Sequence, residues 1–110
     1  MNILGGMSTK KLQCKLEKMD PEAVNQAAKM LRTLAHTDRL RIIDLLHSAG
    51  KLPVCDITEH LDITQPATSQ HLNHMRRIGL LKAKRRGKTV WYSVAGNRPI
   101  ALLNCICHCF

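Results

Sequence analysis

Thr64-Gln65-Pro66-Ala67-Thr68-Ser69-Gln70-His71-Leu72-Asn73-His74-Met75-Arg76-Arg77-Ile78-Gly79 is the stretch on which the reading of the fold turns. Thr64 is a natural N-cap, and Pro66 stands just inside the helix it opens. Ala67, Leu72, Met75 and Ile78 supply the apolar side, and Gly79 stops the run. The other side carries Thr64, Gln65, Thr68, Ser69, Gln70, His71, Asn73 and His74, all short polar donors and acceptors. Just upstream, Val54, Ile57 and Leu61 fit two helical turns over residues 54 to 61, and Asp62-Ile63-Thr64 reads as a turn. Two helices joined by so short a turn make a helix-turn-helix.

Working outward, Asp20-Pro21 opens a first helix with Val24, Ala27, Ala28, Leu31, Leu34 and Ala35 on one side. Thr37 or Asp38 is expected to cap a second helix, buried through Leu40, Ile42, Ile43, Leu45 and Leu46 and closed by Gly50. Lys51-Leu52-Pro53 reads as a connector. Downstream, the period changes: Leu80 to Lys84 and Val90 to Val94 read as strands around the basic turn Arg85-Arg86-Gly87-Lys88. An apolar segment from about Arg98 closes the chain. The expected fold is mainly α with a small β-hairpin, a winged helix-turn-helix. Residues 1–18, with Gly5, Gly6 and four lysines, read as a flexible arm ahead of a domain spanning 19–110.

The 110 residues suit one domain, and with 3% aromatics its core must be Leu, Ile, Val, Ala and Met. Lys and Arg number 17 against 8 Asp and Glu, a net charge of +9, and no acid lies beyond Asp62. A half-chain of one sign is a footprint for a polyanion, nucleic acid first and an anionic membrane second. No apolar run approaches the roughly 18 residues of a membrane span, and the N-terminal apolar stretch is too short for a secretory signal, so a cytoplasmic protein is expected. No Cys-x-x-Cys motif, paired general acid and base, or phosphate loop supports an enzyme.

Three pieces in order resemble the ArsR/SmtB-type transcriptional repressors, across about residues 24 to 94. Leu34-Ala35-His36-Thr37-Asp38-Arg39-Leu40-Arg41-Ile42-Ile43 is similar to the family's L-A-x-x-x-R-L-x-I-L segment. Gln65 to Leu72, followed by Arg76-Arg77-Ile78-Gly79-Leu80-Leu81, is similar to its recognition helix, and Arg85-Arg86-Gly87-Lys88-Thr89-Val90-Trp91-Tyr92 to its wing. The resemblance implies a homodimer paired through its first and last helices. It also implies a repressor that binds imperfect palindromes of double-stranded DNA as apo-protein and lets go on a metal, metalloid or thiol-reactive signal.

Within that picture Gln70 can read adenine bidentately, and Ser69 and His71 contact base or phosphate. Thr64, Gln65 and Thr68 complete the groove-facing set, although Thr64 as a cap and His71 as a packing residue remain open. Arg85, Arg86 and Lys88 reach phosphates from the wing and set affinity and salt dependence. Arg76 and Arg77 either meet phosphates or complement the helix dipole.

Cys14, Cys55, Cys105, Cys107 and Cys109 are an odd number without an export signal, which favours metal or redox chemistry over a disulfide framework. The family's last-helix zinc site needs Asp, His and Glu; residues 95–110 hold no acid and one His, so it is not expected. A thiol pair between the second and last helices is not expected either, since Asp44 stands in that region and no Cys. Val54-Cys55-Asp56-Ile57 is similar to the C-V-C-D-L stretch of the family's arsenic, cadmium and lead sensors, with one of its two thiols. In that subgroup, further thiols come from the other subunit's N-terminal arm, a part Cys14 is placed to play. Cys105-x-Cys107-x-Cys109 is the densest cluster. Thiolates select soft ions, and three of them suit As(III) or Sb(III) as inducer. In a helix, Cys105 and Cys109 share a face and Cys107 points away; in a strand, successive same-side residues stand about 6.6 Å apart. Neither form closes three sulfurs on one ion unaided. A thiol-redox or sulfide-responsive repressor using Cys105–Cys109 or inter-subunit disulfides is the rival reading. His108 reads as a polar tail residue.

Overall fold

A computed structural model describes residue 12 and residues 14–110. Residues 1–11 and 13, most of the expected arm, lie outside the described residues; Lys15–Lys18 form a short 3-10 turn. Helix α1 (Pro21–Leu34) starts where Asp20 and Pro21 place it, the Asp20 carboxylate accepting the Glu22 N–H at 3.3 Å. Neither Thr37 nor Asp38 caps α2 (Thr37–Ala49). His36 does, its Nδ1 accepting the Asp38 N–H at 3.1 Å. An imidazole Nδ1 stands as far from its backbone as an Asn or Asp side-chain oxygen, a substitute that the usual cap preferences pass over.

Leu52–Pro53 is more than a connector. It forms β1, antiparallel to the last strand, with Leu52 opposite Tyr92 and Pro53 opposite Trp91. Two residues are too few for a periodic signal, and proline fits an edge strand. Helix α3 (Val54–Leu61) ends on Asp62 in a left-handed conformation. Helix α4 (Gln65–Ile78) is capped by Thr64, whose Oγ1 accepts the Ala67 N–H at 3.3 Å. At its end Gly79 adopts φ 92, its N–H donating to the Arg76 carbonyl, and the Leu80 N–H reaches back to the Met75 carbonyl at 2.9 Å. This is a Schellman closure, and the Met75 and Leu80 side chains that flank it are both fully buried.

Strands β2 (Leu81–Arg86) and β3 (Thr89–Val94) run longer than the sequence reading. Arg85 and Arg86 join β2, leaving Gly87-Lys88 as a two-residue turn with Gly87 at φ 65. The sheet order is β1-β3-β2. Helix α5 (Arg98–Cys109) carries the closing segment through all three terminal cysteines. The core joins Leu34, Ile42, Ile43, Leu46, Ile57, Leu61, Leu72, Met75, Leu80, Leu81 and Tyr92. Aliphatic side chains dominate it as composition requires, and Phe110 stays outside it, fully exposed. Among the described residues, no helix is long and apolar enough to cross a membrane.

Candidate nucleic-acid interface and thiol sites

Helix α4 buries Thr68, Leu72 and Met75 against the core. At about 100° per residue, Gln70, Asn73 and Arg77 therefore fall on its opposite side and Ser69 on the flank. Gln70, Asn73 and Arg77 are exposed and Ser69 half-buried; Thr64 and Gln65 are exposed at the helix start. Thr68 is a correction to the expected groove-facing set. It is 0% exposed, and its hydroxyl donates to the Thr64 carbonyl at 3.0 Å. A threonine that hydrogen-bonds the preceding turn can be buried without an unmet polar group, so its polarity misleads. Arg77, left between phosphate and dipole, stands on the same side as Gln70.

His71 points back toward α2. Its Nδ1 accepts from Arg39 Nε at 3.1 Å, while Arg39 Nη1 donates to the Thr33 carbonyl, also at 3.1 Å. One guanidinium thus ties the end of α1, the start of α2 and the middle of α4, a connection the sequence reading missed. The His36 and His71 rings meet edge-on, with centroids 4.6 Å apart. Burial, then repulsion from His36 and Arg39, holds the His71 pKa below the ordinary 6.5, so the ring is neutral at pH 7.

His36, Asp38 and His71 each offer a ligand atom within 4.8 Å of the others, the one such group of three among the described residues. The group is already spent on structure. Both Nδ1 atoms accept N–H bonds, which leaves the ring protons on Nε2, and Asp38 pairs with Arg41 at 3.3 Å. Two guanidiniums beside it oppose a cation. The cluster positions α4 rather than holding a metal.

The wing separates its cations by face. The register sets Lys84 opposite Trp91, Lys82 opposite Ser93 and Arg86 opposite Thr89. Alternation along β2 puts Lys82, Lys84 and Arg86 together, and Lys51 Nζ lies 5.4 Å over the Trp91 ring on that side. These groups line one depression of about 320 Å³. Arg85 lies on the other face beside Val90, and Lys88 in the turn. Of the expected wing contacts, only Arg86 shares the basic face; Lys51, Lys82 and Lys84, beyond the expected set, complete it. Alternation from Lys82 to Arg86 was a usable signal for β2, but nothing local links Lys51 to Trp91.

All five cysteines are free and exposed. Cys55 opens α3, its thiol donating to Asp56 Oδ1 at 3.7 Å. Cys14 lies just before the 3-10 turn. Among the described residues, no three thiols gather on one point. Helix α5 settles the geometry left open at the chain end: Cys105 and Cys109 share a face, and Cys107 lies nearly opposite. A Cys105–Cys109 disulfide does not fit this helix. Residues four apart hold their Cβ atoms about 5–6 Å apart, against about 3.5–4.5 Å in a disulfide.

A three-stranded wing behind a helix-turn-helix, with a polar helix face and an acid-free basic half, defines a winged-helix DNA-binding protein. The family described as "Bacterial regulatory protein, arsR family" matches residues 36–83. The chain is 40% identical over 70 residues to the arsenical resistance operon repressor of Escherichia coli, covering 64% of this chain and 60% of that one. It is 32% identical over 90 residues to the cadmium resistance transcriptional regulatory protein CadC of Listeria innocua, covering 82% and 71%. Among solved structures, the transcriptional repressor PagR of Bacillus anthracis superposes with a TM-score of 0.73 at 30% identity, over 79% of this chain and 99% of that one. The chain belongs to the ArsR family of transcriptional regulators, DNA-binding proteins and not enzymes.

Proposed function

We propose that the chain is a metal-responsive repressor, a homodimer that holds an imperfect palindrome of double-stranded DNA. Helix α4 enters the major groove, with Gln70 reading adenine and Thr64, Gln65 and Ser69 at neighbouring edges and phosphates. Arg77 on the helix and Arg85, Arg86 and Lys88 on the wing neutralise phosphates. His71 serves the groove indirectly, by fixing α4 to Arg39. Leu31 on α1 and Ile106 on α5 are exposed apolar side chains, as are Leu16 and Met19 ahead of α1. Covering them between two copies supports dimerisation and sets half-sites about one helical turn apart.

As(III) or Sb(III) is the proposed inducer, in line with the arsenical resistance repressor among the relatives. The observation that carries this reading is the free, exposed state of all five thiols, three of them on the last turns of α5. Cys105 and Cys109 supply two sulfurs from one face. The third comes from outside that face, with Cys107, Cys55, or Cys14 of a second copy as candidates. Binding draws on the end of α5, shifts the dimer interface and changes the spacing of the two α4 helices. Swinging such an equilibrium from 1:99 to 99:1 takes about 5.5 kcal/mol of differential affinity.

The test is operator anisotropy with the reduced protein. The wild type releases duplex on As(III). The Cys105→Ser, Cys109→Ser double variant binds duplex as tightly and no longer responds. Release that survives in the double variant moves the sensor off α5.

A further inference from the structure

We propose that the outer face of the wing sheet is a second nucleic-acid site, one that takes single-stranded DNA in place of duplex. It goes beyond the repressor reading and stands on residues other than the thiols and the α4 face. Strand pairing builds the face. Alternation along β2 puts Lys82, Lys84 and Arg86 on one side, and the register sets Lys84 opposite Trp91 on β3. Across the other edge of β3, β1 pairs Pro53 with Trp91, so Lys51, two residues earlier, belongs to the same side. Its Nζ lies 5.4 Å from the centre of the Trp91 ring. One indole thus stands between cations from both flanks, in a depression of about 320 Å³.

Charge sets what the depression takes. None of its lining residues is acidic. Among the described residues the one ion pair joins Arg41 to Asp38, so these four cations are gathered without a carboxylate. Like charges held together repel, and a polyanion relieves that repulsion. The row along β2 has the spacing of a polymer. Lys82, Lys84 and Arg86 follow one another at about 6.6 Å, close to the interval between consecutive phosphates of a nucleic-acid strand. Over its length of about 13 Å the row tracks a backbone and outruns a single small anion.

Trp91 decides between duplex and single strand. An indole is a flat surface on which a base stacks, whatever the base. In a duplex each base is already covered by its neighbours, so duplex would use the cations and leave the ring without a partner. An unpaired strand uses both, with its backbone along β2 and a base on Trp91. Lys51 then swings from the ring to a phosphate, a movement its exposed side chain is free to make. The chain belongs to a DNA-binding family, so the strand at hand is DNA.

Trp91 is the single tryptophan, so its emission reports stacking directly. Titrating the full chain with oligothymidylate of about eight nucleotides should quench that emission to saturation. The Lys82→Gln, Lys84→Gln double variant should bind the oligomer about tenfold more weakly and hold duplex as tightly as the wild type. Trp91→Leu, followed by anisotropy of the labelled oligomer, should lose about fivefold or more. Oligoglutamate of equal charge should leave the emission unchanged and fail to displace the oligomer. Binding without quenching, or quenching that survives in the double variant, overturns the proposal. So does a loss of duplex affinity in that variant as large as the loss for oligothymidylate, which hands the face to duplex. Oligouridylate bound about tenfold more tightly hands it to RNA, and displacement by oligoglutamate to an acidic peptide; either result overturns it as well. None of these outcomes bears on release by As(III), which is read from the Cys105→Ser, Cys109→Ser double variant.

Discussion

Protonating His71 would set a second positive charge against the Arg39 guanidinium and take away the lone pair its Nε–H bonds to. The folded protein resists that step, and the pKa is lowered, first by burial. A group that resists protonation when folded contributes stability above its unfolded pKa and loses it as pH falls. The protein should therefore hold steady stability above about pH 6.5 and lose part of it below. His71→Gln, which keeps an acceptor without the charge, should flatten that fall. Urea melts of both proteins from pH 5 to 8 check it; parallel curves would mean that another group carries the acid sensitivity. Thr68 makes a similar point about single residues. Its hydroxyl looks DNA-facing in the sequence and is fully buried in the fold.

At the scale of elements, α4 depends on its ends as well as its buried side. Leu72 is fully buried among Ile, Leu and Met side chains, so Leu72→Ala should cost about 2–5 kcal/mol. Gly79 is a different case. A Cβ there meets nothing within 4 Å, so only the positive φ of 92 resists a side chain. Gly79→Ala should cost about 1–2 kcal/mol through backbone strain alone. Chemical denaturation ranks the two; a Gly79→Ala loss well below about 1 kcal/mol would show that the positive φ does not strain the turn. The elements themselves were legible. Asp20-Pro21, Thr64, Gly50 and Gly79 mark helix ends because capping is local chemistry, satisfied within three or four residues. The cap at His36 was missed since imidazole seldom serves there, and β1 because two residues show no period. Alternate cysteines at the end of α5 favour neither helix nor strand. Helix decides which thiols share a face.

Across the whole molecule, charge is divided between the acid-free half and the surfaces it covers. Lys51, Lys82, Lys84 and Arg86 gather on one face of the wing around Trp91. Arg85 and Lys88 sit apart from them. Phosphate contacts add up in the salt dependence of binding, about one unit of slope each. Replacing Arg85, Arg86 and Lys88 with Gln should lower the slope of log K against log salt and weaken all duplexes alike. Replacing Lys82 and Lys84 should lower it further only if the duplex runs along the outer face. Titrations of operator and unrelated duplex at several salt concentrations read both. A loss of sequence preference in the wing variants would contradict a purely electrostatic role.

Taken by itself, the sequence determined the class of fold, the order of helix, helix, helix-turn-helix and wing, the aliphatic core and the concentration of positive charge beyond Asp62. Each of these is written in local periods, caps and composition, which act between near neighbours along the chain. Tertiary structure alone decided that Arg39 reaches His71 across 32 positions, that Thr68 turns inward, and that Lys51 stacks over Trp91. Those contacts depend on how helices and strands pack in space, and no spacing along the chain encodes such a distance.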